Sequence, residues 1–244
     1  MRATVLAIDA GTTGVSALLF DEELRPLVRA YREFAQVFPR PGWVEHEAGA
    51  ILAALDAVVA EVLRDPRAGN VAALGLTNQR ETVFALERRT GRALTNGIVW
   101  QDRRTEARCA ELRARGHEPE LRRRTGLVLD PYFSATKIEW LLREDEELAR
   151  RARAGEVLFG TVDTLILAHL TGGRTLATDP TNASRTMLYA LDERRFDPEL
   201  ARLFGLEESW LAEVRPSAGD FGTSEPARTG GRALAIRGVA GDQQ

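Results

Sequence analysis

The sequence predicts an α/β fold: a mixed sheet whose first three strands are antiparallel, flanked by helices. Three observations carry this. "TVLAID", "GVSALLFD" and "LVRAYREF" are apolar or alternating runs in close succession, separated by the turn signals of residues 11–14 and "EELRP". Turns that short join antiparallel neighbours. Ile51, Leu52, Leu55, Val58, Val59 and Val62 then recur at the i, i+3, i+4 spacing of an amphipathic helix. "VAALGLTN" follows as a buried strand.

The remaining elements fall in order. A loop with Pro39, Pro41 and Gly42 precedes the first helix. "TVFALERRTGRALTNGIVW" reads as a hairpin around Thr90 and Gly91 that leads into a further strand. Helices are expected near residues 102–115, 134–143 and 146–153. "EVLFGTVDTLILAHLTGG" reads as a strand running into a helix that stops at Gly172, and the segment after it is loop-rich as far as a last strand in "RALAIRGVAGD". There is no internal repeat, low-complexity tract or linker, so one domain spanning 1–244 is the simplest count. Three antiparallel strands, a helix and a strand are the opening of a ribonuclease-H-like or actin-like ATPase domain, which by itself licenses no function.

Composition excludes several chemistries. A net charge of −3 gives no electrostatic reason to expect nucleic acid or an anionic membrane. No apolar run is long enough to span a bilayer, and "MRATVLAIDAGTTG" does not resemble a signal peptide. Cys109 is the single cysteine, which rules out an intrachain disulfide or a cysteine zinc site and suits a reducing cytoplasm. Lys137 is the single lysine, and no Gly-Lys-Ser/Thr stands anywhere, so there is no Walker A loop. His46, His117 and His169 lack metal-ligand spacing and read as structural or exposed. "RRR" at 122–124 and "EDEE" at 144–147 read as solvated helix faces.

The residues that could carry chemistry cluster at strand ends. "AIDAGTTG" delivers Asp9 to a strand tip and follows it with a turn whose glycines would free backbone N–H groups for an anion; Thr12 and Thr13 add hydroxyls. A carboxylate beside a phosphate nest is where Mg²⁺ would sit through water, against the simpler reading of a small-residue hairpin. "LTNQRET" places Asn78, Gln79, Arg80, Glu81 and Thr82 together after an apolar strand. Arg80 and Glu81 could line a bend around a polyhydroxyl ligand or form a surface ion pair. Trp100 and Tyr132 are either core aromatics or walls of a pocket. Asp242 is either a site carboxylate or a helix cap.

Taken together, "DAGTTG", "PGWVEHE", "TNQRET", "VWQDRRT", "TGLVLDPYFSATK", "LFGTVDT", "TDPTNASRTM" and "GVAGDQQ" resemble the glycerol kinases of the FGGY carbohydrate kinase family, in the family's order, from about Ala7 to Gln244. The resemblance implies an ATP-dependent phosphorylation of glycerol to sn-glycerol 3-phosphate. Family members are about twice this long, so the chain would be the N-terminal, polyol-binding half, without the C-terminal nucleotide-binding half and inactive alone. Arg80, Glu81, Trp100, Tyr132, Asp242 and Gln243 would surround glycerol, with Asp242 as catalytic base. Gly11, Thr12 and Thr13 would face the nucleotide phosphates, and Asp9 would hold Mg²⁺ through water. The family usually carries Gln at Ala10, Ser at Gly14 and Arg at Ser16, so the phosphate side of the pattern is thinned. A homo-oligomer is left open. The rivals are another sugar or polyol kinase of the same family, a two-metal nuclease of the ribonuclease-H type, and a non-catalytic polyol-binding domain.

Overall fold

The computed structural model describes residues 3–244. The expected meander is present: β1 (Thr4–Ala10), β2 (Gly14–Phe20) and β3 (Pro26–Glu33) pair antiparallel in succession. Alternation along them puts Leu6, Ile8, Ala10, Val15, Ala17, Leu19 and Ala30 on one face, all buried. A two-residue β4 (Glu45–His46) leads into α1 (Ala48–Leu63), whose Ile51, Leu55, Val58, Val59 and Val62 cover that face. Each such side chain contributes about 1.5–3 kcal/mol on burial. β5 (Val71–Asn78) then pairs parallel with β1.

β6 (Val83–Glu87) and β7 (Gly97–Ile98) open a second sheet. The turn between them passes through Gly91, as "RTGR" implied. Four helices follow: α2 (Glu106–Ala114), α3 (Glu118–Thr125), α4 (Ala135–Glu144) and α5 (Glu146–Arg153). β8 (Val157–Thr161) then returns to pair with β6, giving the antiparallel order β4-β7-β6-β8. A second apolar cluster, including Leu121, Phe133, Ile138 and Phe159, lies among these elements. α6 (Val162–Thr171) returns the chain to the first core and ends at Gly172, whose φ of 64° explains the stop.

The stretch after Gly172 is more structured than its sequence suggests. It contains β9 (Ala177–Thr178), α7 (Pro180–Ala183), β10 (Tyr189–Ala190), β11 (Arg195–Phe196), α8 (Pro198–Leu203) and β12 (Glu213–Val214). Elements of two to six residues are too short to show a period, which is why they read as loop. β13 (Ile236–Gly241) closes the first sheet, parallel to β5, in the order β13-β5-β1-β2-β3. Two charge runs are also refined. Asp145 of "EDEE" caps α5 by accepting the Leu148 N–H at 2.8 Å. Arg124 of "RRR" pairs with Glu120, Asp197 and Glu199.

Candidate active site

Three parallel strands end together. Their register sets Asp9 beside Thr77 and Thr77 beside Ala240, so Asp9 and the chain leaving β13 meet at one sheet edge. Asp242 is fixed one step beyond, its N–H donating to the Asn78 carbonyl at 3.0 Å. It caps no helix among the described residues. Burial, and then the Asp242 charge, raise the Asp9 carboxyl above the usual carboxylate range, while Arg29 on β3 works to lower it. Asp9 therefore feels Asp242 as a like charge nearby.

The polar run after β5 divides into two roles. Asn78, Gln79 and Thr82 are buried and serve the frame. Asn78 and Asn182 exchange side-chain hydrogen bonds of 2.9 and 3.2 Å. The Gln79 side chain donates to the Gly11 carbonyl at 3.0 Å and accepts from Thr82 Oγ1 at 2.9 Å. Arg80 and Glu81 form a bend. Glu81 has φ 63°, and the Thr82 N–H reaches back to the Arg80 carbonyl at 2.7 Å, a γ-turn of the strained hand. Such backbone costs about 1–3 kcal/mol and persists where its surroundings hold it.

Arg80 and Glu81 do not pair with each other as a surface ion pair would. Glu81 is buried and accepts from Arg185 Nε at 2.7 Å. Arg80 Nε lies 3.3 Å from Asp242 Oδ1, an ion-pair distance without hydrogen-bond alignment, so that buried N–H has no hydrogen-bond acceptor. Arg80 Nη1 donates to Gln244 Oε1 at 3.3 Å. The Trp100 and Tyr132 rings are 5.4 Å apart at 51°, and both side chains are partly buried. The Tyr132 hydroxyl is pushed up by burial and then by Glu81, while Asp242 adds to the rise and Arg80 and Arg185 oppose it. Tyr132 thus faces the same charged groups. Lys137, fully buried, donates to the Tyr132 carbonyl at 2.9 Å and fixes that loop.

The Gly-Thr-Thr-Gly turn departs from the expected reason for its glycines. Neither Gly11 nor Gly14 has a positive φ, and the Gly11 N–H is used within the turn, bonded to the Gly14 carbonyl at 2.9 Å. Gly14 is needed for close approach: a Cβ there would stand 2.5 Å from Tyr31 Oη and 2.6 Å from the Arg32 carbonyl. The N–H groups of Thr12 and Thr13 make no hydrogen bond among the described residues. Thr12 Oγ1 accepts from Trp100 Nε1 at 3.0 Å, which ties this turn to the aromatic wall. His46 lies buried behind it, 3.3 Å from Gln79 Nε2, and burial pushes its pKa down to about 4. Gln243 is exposed and no hydrogen bond joins it to the other residues of the site among those described.

The sequence reading missed Arg185, His46 and Lys137 as site neighbours. Cys109 is buried, with its thiol pushed up to about 11, which agrees with an inert cysteine. No helix among the described residues is long and apolar enough to cross a membrane.

A mixed sheet with an antiparallel meander, ending in two acids at one edge beside free turn amides, defines an actin-like α/β domain. Comparison with known proteins makes the assignment specific. Residues 4–244 match the N-terminal domain of the FGGY family of carbohydrate kinases, and the chain belongs to that family. It is 51% identical over 246 residues to a glycerol kinase of Methylobacterium nodulans, covering 100% of this chain and 49% of that protein. It is 52% identical over 242 residues to the glycerol kinase of Thermus brockianus, covering 98% and 49%. A Plasmodium falciparum glycerol kinase solved with ADP superposes with a TM-score of 0.95 at 31% identity, over 99% of this chain and 49% of that one. A xylulose kinase from Rhodospirillum rubrum, at 24% identity and TM-score 0.88 over 98% and 49%, shares the fold. The chain spans about half the length of the curated relatives it matches.

Proposed function

We propose that this chain is the polyol-binding half of an ATP-dependent glycerol kinase that makes sn-glycerol 3-phosphate in the cytoplasm. The observation that carries the reading is the cluster in which Arg80 pairs with Asp242 at the first sheet's edge while Tyr132, packed on Trp100, feels the charges of Glu81, Arg80 and Asp242. Glycerol would lie with its carbon chain against Trp100 and Tyr132. Its hydroxyls both donate and accept, so Arg80 can donate to one oxygen while Glu81 accepts from the next. The orphaned Arg80 Nε–H supports this, because a ligand oxygen would supply the acceptor it lacks.

Asp242 would take the proton of the attacking hydroxyl as its oxygen bonds to the γ-phosphorus of ATP and the bond from that phosphorus to the bridging oxygen breaks, ADP leaving. Phosphoryl transfer is mostly positioning and charge stabilisation, so a base, a rigid pocket and phosphate donors suffice on this side. Asp9 would hold Mg²⁺ through water: its carboxyl is raised by burial and then by Asp242, and a bound cation would offset both influences and neutralise the phosphates of ATP. Thr12 and Thr13 would donate to those phosphates, and a second half would hold the adenosine. The test is glycerol-dependent ADP release by the full-length polypeptide with MgATP. Turnover of about 1–100 s⁻¹ with glycerol preferred over pentoses is expected, and a pentose as best substrate would overturn the assignment.

A further inference from the structure

We propose that Arg185 is a positioning residue of the polyol pocket, which holds the Glu81 carboxylate ionised and aimed so that it accepts hydrogen bonds from substrate hydroxyls. The inference rests on the polyol reading of the site. Glu81 sits at the centre of a strained turn and is buried, two conditions that work against a charged, fixed side chain. Its carbonyl is held by Ser134 Oγ at 2.8 Å. Its carboxylate is held by Arg185 Nε at 2.7 Å through Oε1, while Oε2 accepts no hydrogen bond among the described residues. One oxygen is thus anchored and the other is left for a ligand.

The groups facing Glu81 have unequal parts. Burial raises its pKa, and the strongest opposing influence is the hydrogen bond from Arg185, followed by the charges of Arg80, Arg185 and Lys137. Arg80 is turned toward Asp242 and Gln244. Lys137 gives a hydrogen bond to the Tyr132 carbonyl, and burial brings its pKa down to about 7, so its charge is incomplete at neutral pH. Tyr132 faces Glu81 as a neutral phenol. Arg185 alone combines a permanent charge with a direct hydrogen bond. Its guanidinium is also held over two rings, 4.9 Å from the centroid of Phe133 and 5.9 Å from that of Tyr132, which couples the charge to the aromatic wall.

Two measurements test this. In this chain, carboxyl-carbon NMR, with Glu81→Gln to assign the signal, reads the Glu81 titration directly. Arg185→Gln is expected to move its midpoint upward by at least about one pH unit, and Arg185→Lys by less. In the full-length polypeptide, Arg185→Gln is expected to raise the glycerol KM at least about tenfold at neutral pH, and further as pH falls, with kcat changing less. Arg185→Lys should recover part of the affinity, and it remains informative if Arg185→Gln does not fold. An unmoved Glu81 midpoint, or a glycerol KM in both variants within about twofold of the parent at every pH, overturns the proposal. A shifted midpoint in a protein that does not turn over glycerol would support the positioning role and sink the glycerol assignment, whereas glycerol turnover with an unmoved midpoint would do the reverse.

Discussion

Asp242 is bound to its surroundings through its backbone N–H and to Arg80 through its carboxylate, and this determines how a substitution there acts. Asp242→Asn keeps the backbone anchor, the shape and one acceptor but cannot take a proton. In the full-length polypeptide kcat should fall about 10²–10⁴-fold while the glycerol Kd, read by calorimetry, changes little. A kcat near that of the parent would leave Asp242 as a partner of Arg80 and no base. Trp100 acts on two fronts: its ring meets Tyr132, and its indole N–H holds Thr12. Trp100→Phe preserves the first and deletes the second. One hydrogen bond is worth about 0.5–1.5 kcal/mol, so kcat/KM for ATP should drop by about two- to twelvefold with the glycerol KM nearly constant. If the glycerol KM moves and the ATP parameter does not, Thr12 is not a phosphate contact.

At the scale of elements, Gly14 shows how β2 and β3 constrain the turn at residues 11–14. Tyr31 and the Arg32 carbonyl fill the space a side chain would need. Gly14→Ser should cost about 1–3 kcal/mol in denaturant unfolding. Adding Tyr31→Ala should recover only part of this, because the Arg32 carbonyl remains; complete recovery would mean that Tyr31 alone dictates the glycine. The elements themselves were largely legible. Repeated spacing disclosed β1, β2, β3, α1 and β5, and Gly172 marked the end of α6. The strand-end acids and the residues of the bend were legible too, because polar residues crowd the ends of apolar runs. What stayed hidden depends on pairs distant in sequence. Nothing near Arg185 in "NASRTM" points to Glu81, and nothing near His46 points to Gln79. Buried polar partners leave no period, and Asn78 or Gln79 looked as site-like in the sequence as Arg80.

For the whole molecule, two buried groups oppose one another in acid. His46 has its pKa depressed from 6.5 to about 4, so the unfolded chain binds more protons and stability is lost as pH falls from 6.5 toward 4. Asp163 is buried, accepts from Thr161 and Thr178, and has its pKa raised from 3.8 to about 6; the folded chain binds more protons, so stability is gained as pH falls from 6 toward 3.8. The two contributions offset each other over the shared window. Asp163→Asn should steepen the loss of unfolding free energy between about pH 6 and 4, and His46→Asn should flatten or reverse it. Parallel curves for the two variants would refute this balance. The same scale bears on activity: the chain spans about half the length of its relatives, and if the proposed assignment of the nucleotide to a second half is right, this chain alone should show no appreciable turnover with glycerol and MgATP. Turnover of the chain alone near about 1 s⁻¹ would contradict that division of labour.

The parallel pairing of β5 with β13 has a kinetic consequence. The β1–β2 and β2–β3 pairings close short loops, whereas β13 must find β5 across the entire second sheet and its helices. Loop closure over that separation has to precede any gain from the pairing, so this contact is slow relative to the meander. Asp9 is therefore expected on a nascent sheet before Asp242 arrives beside it. A refolding chain is expected to pass through forms that hold Asp9 and the residue 11–14 turn before Asp242 is seated, with Arg80 lacking its ion-pair partner. Recovery of any property that needs both acids should follow the slowest step of folding, even when most of the helix and strand signal has already returned.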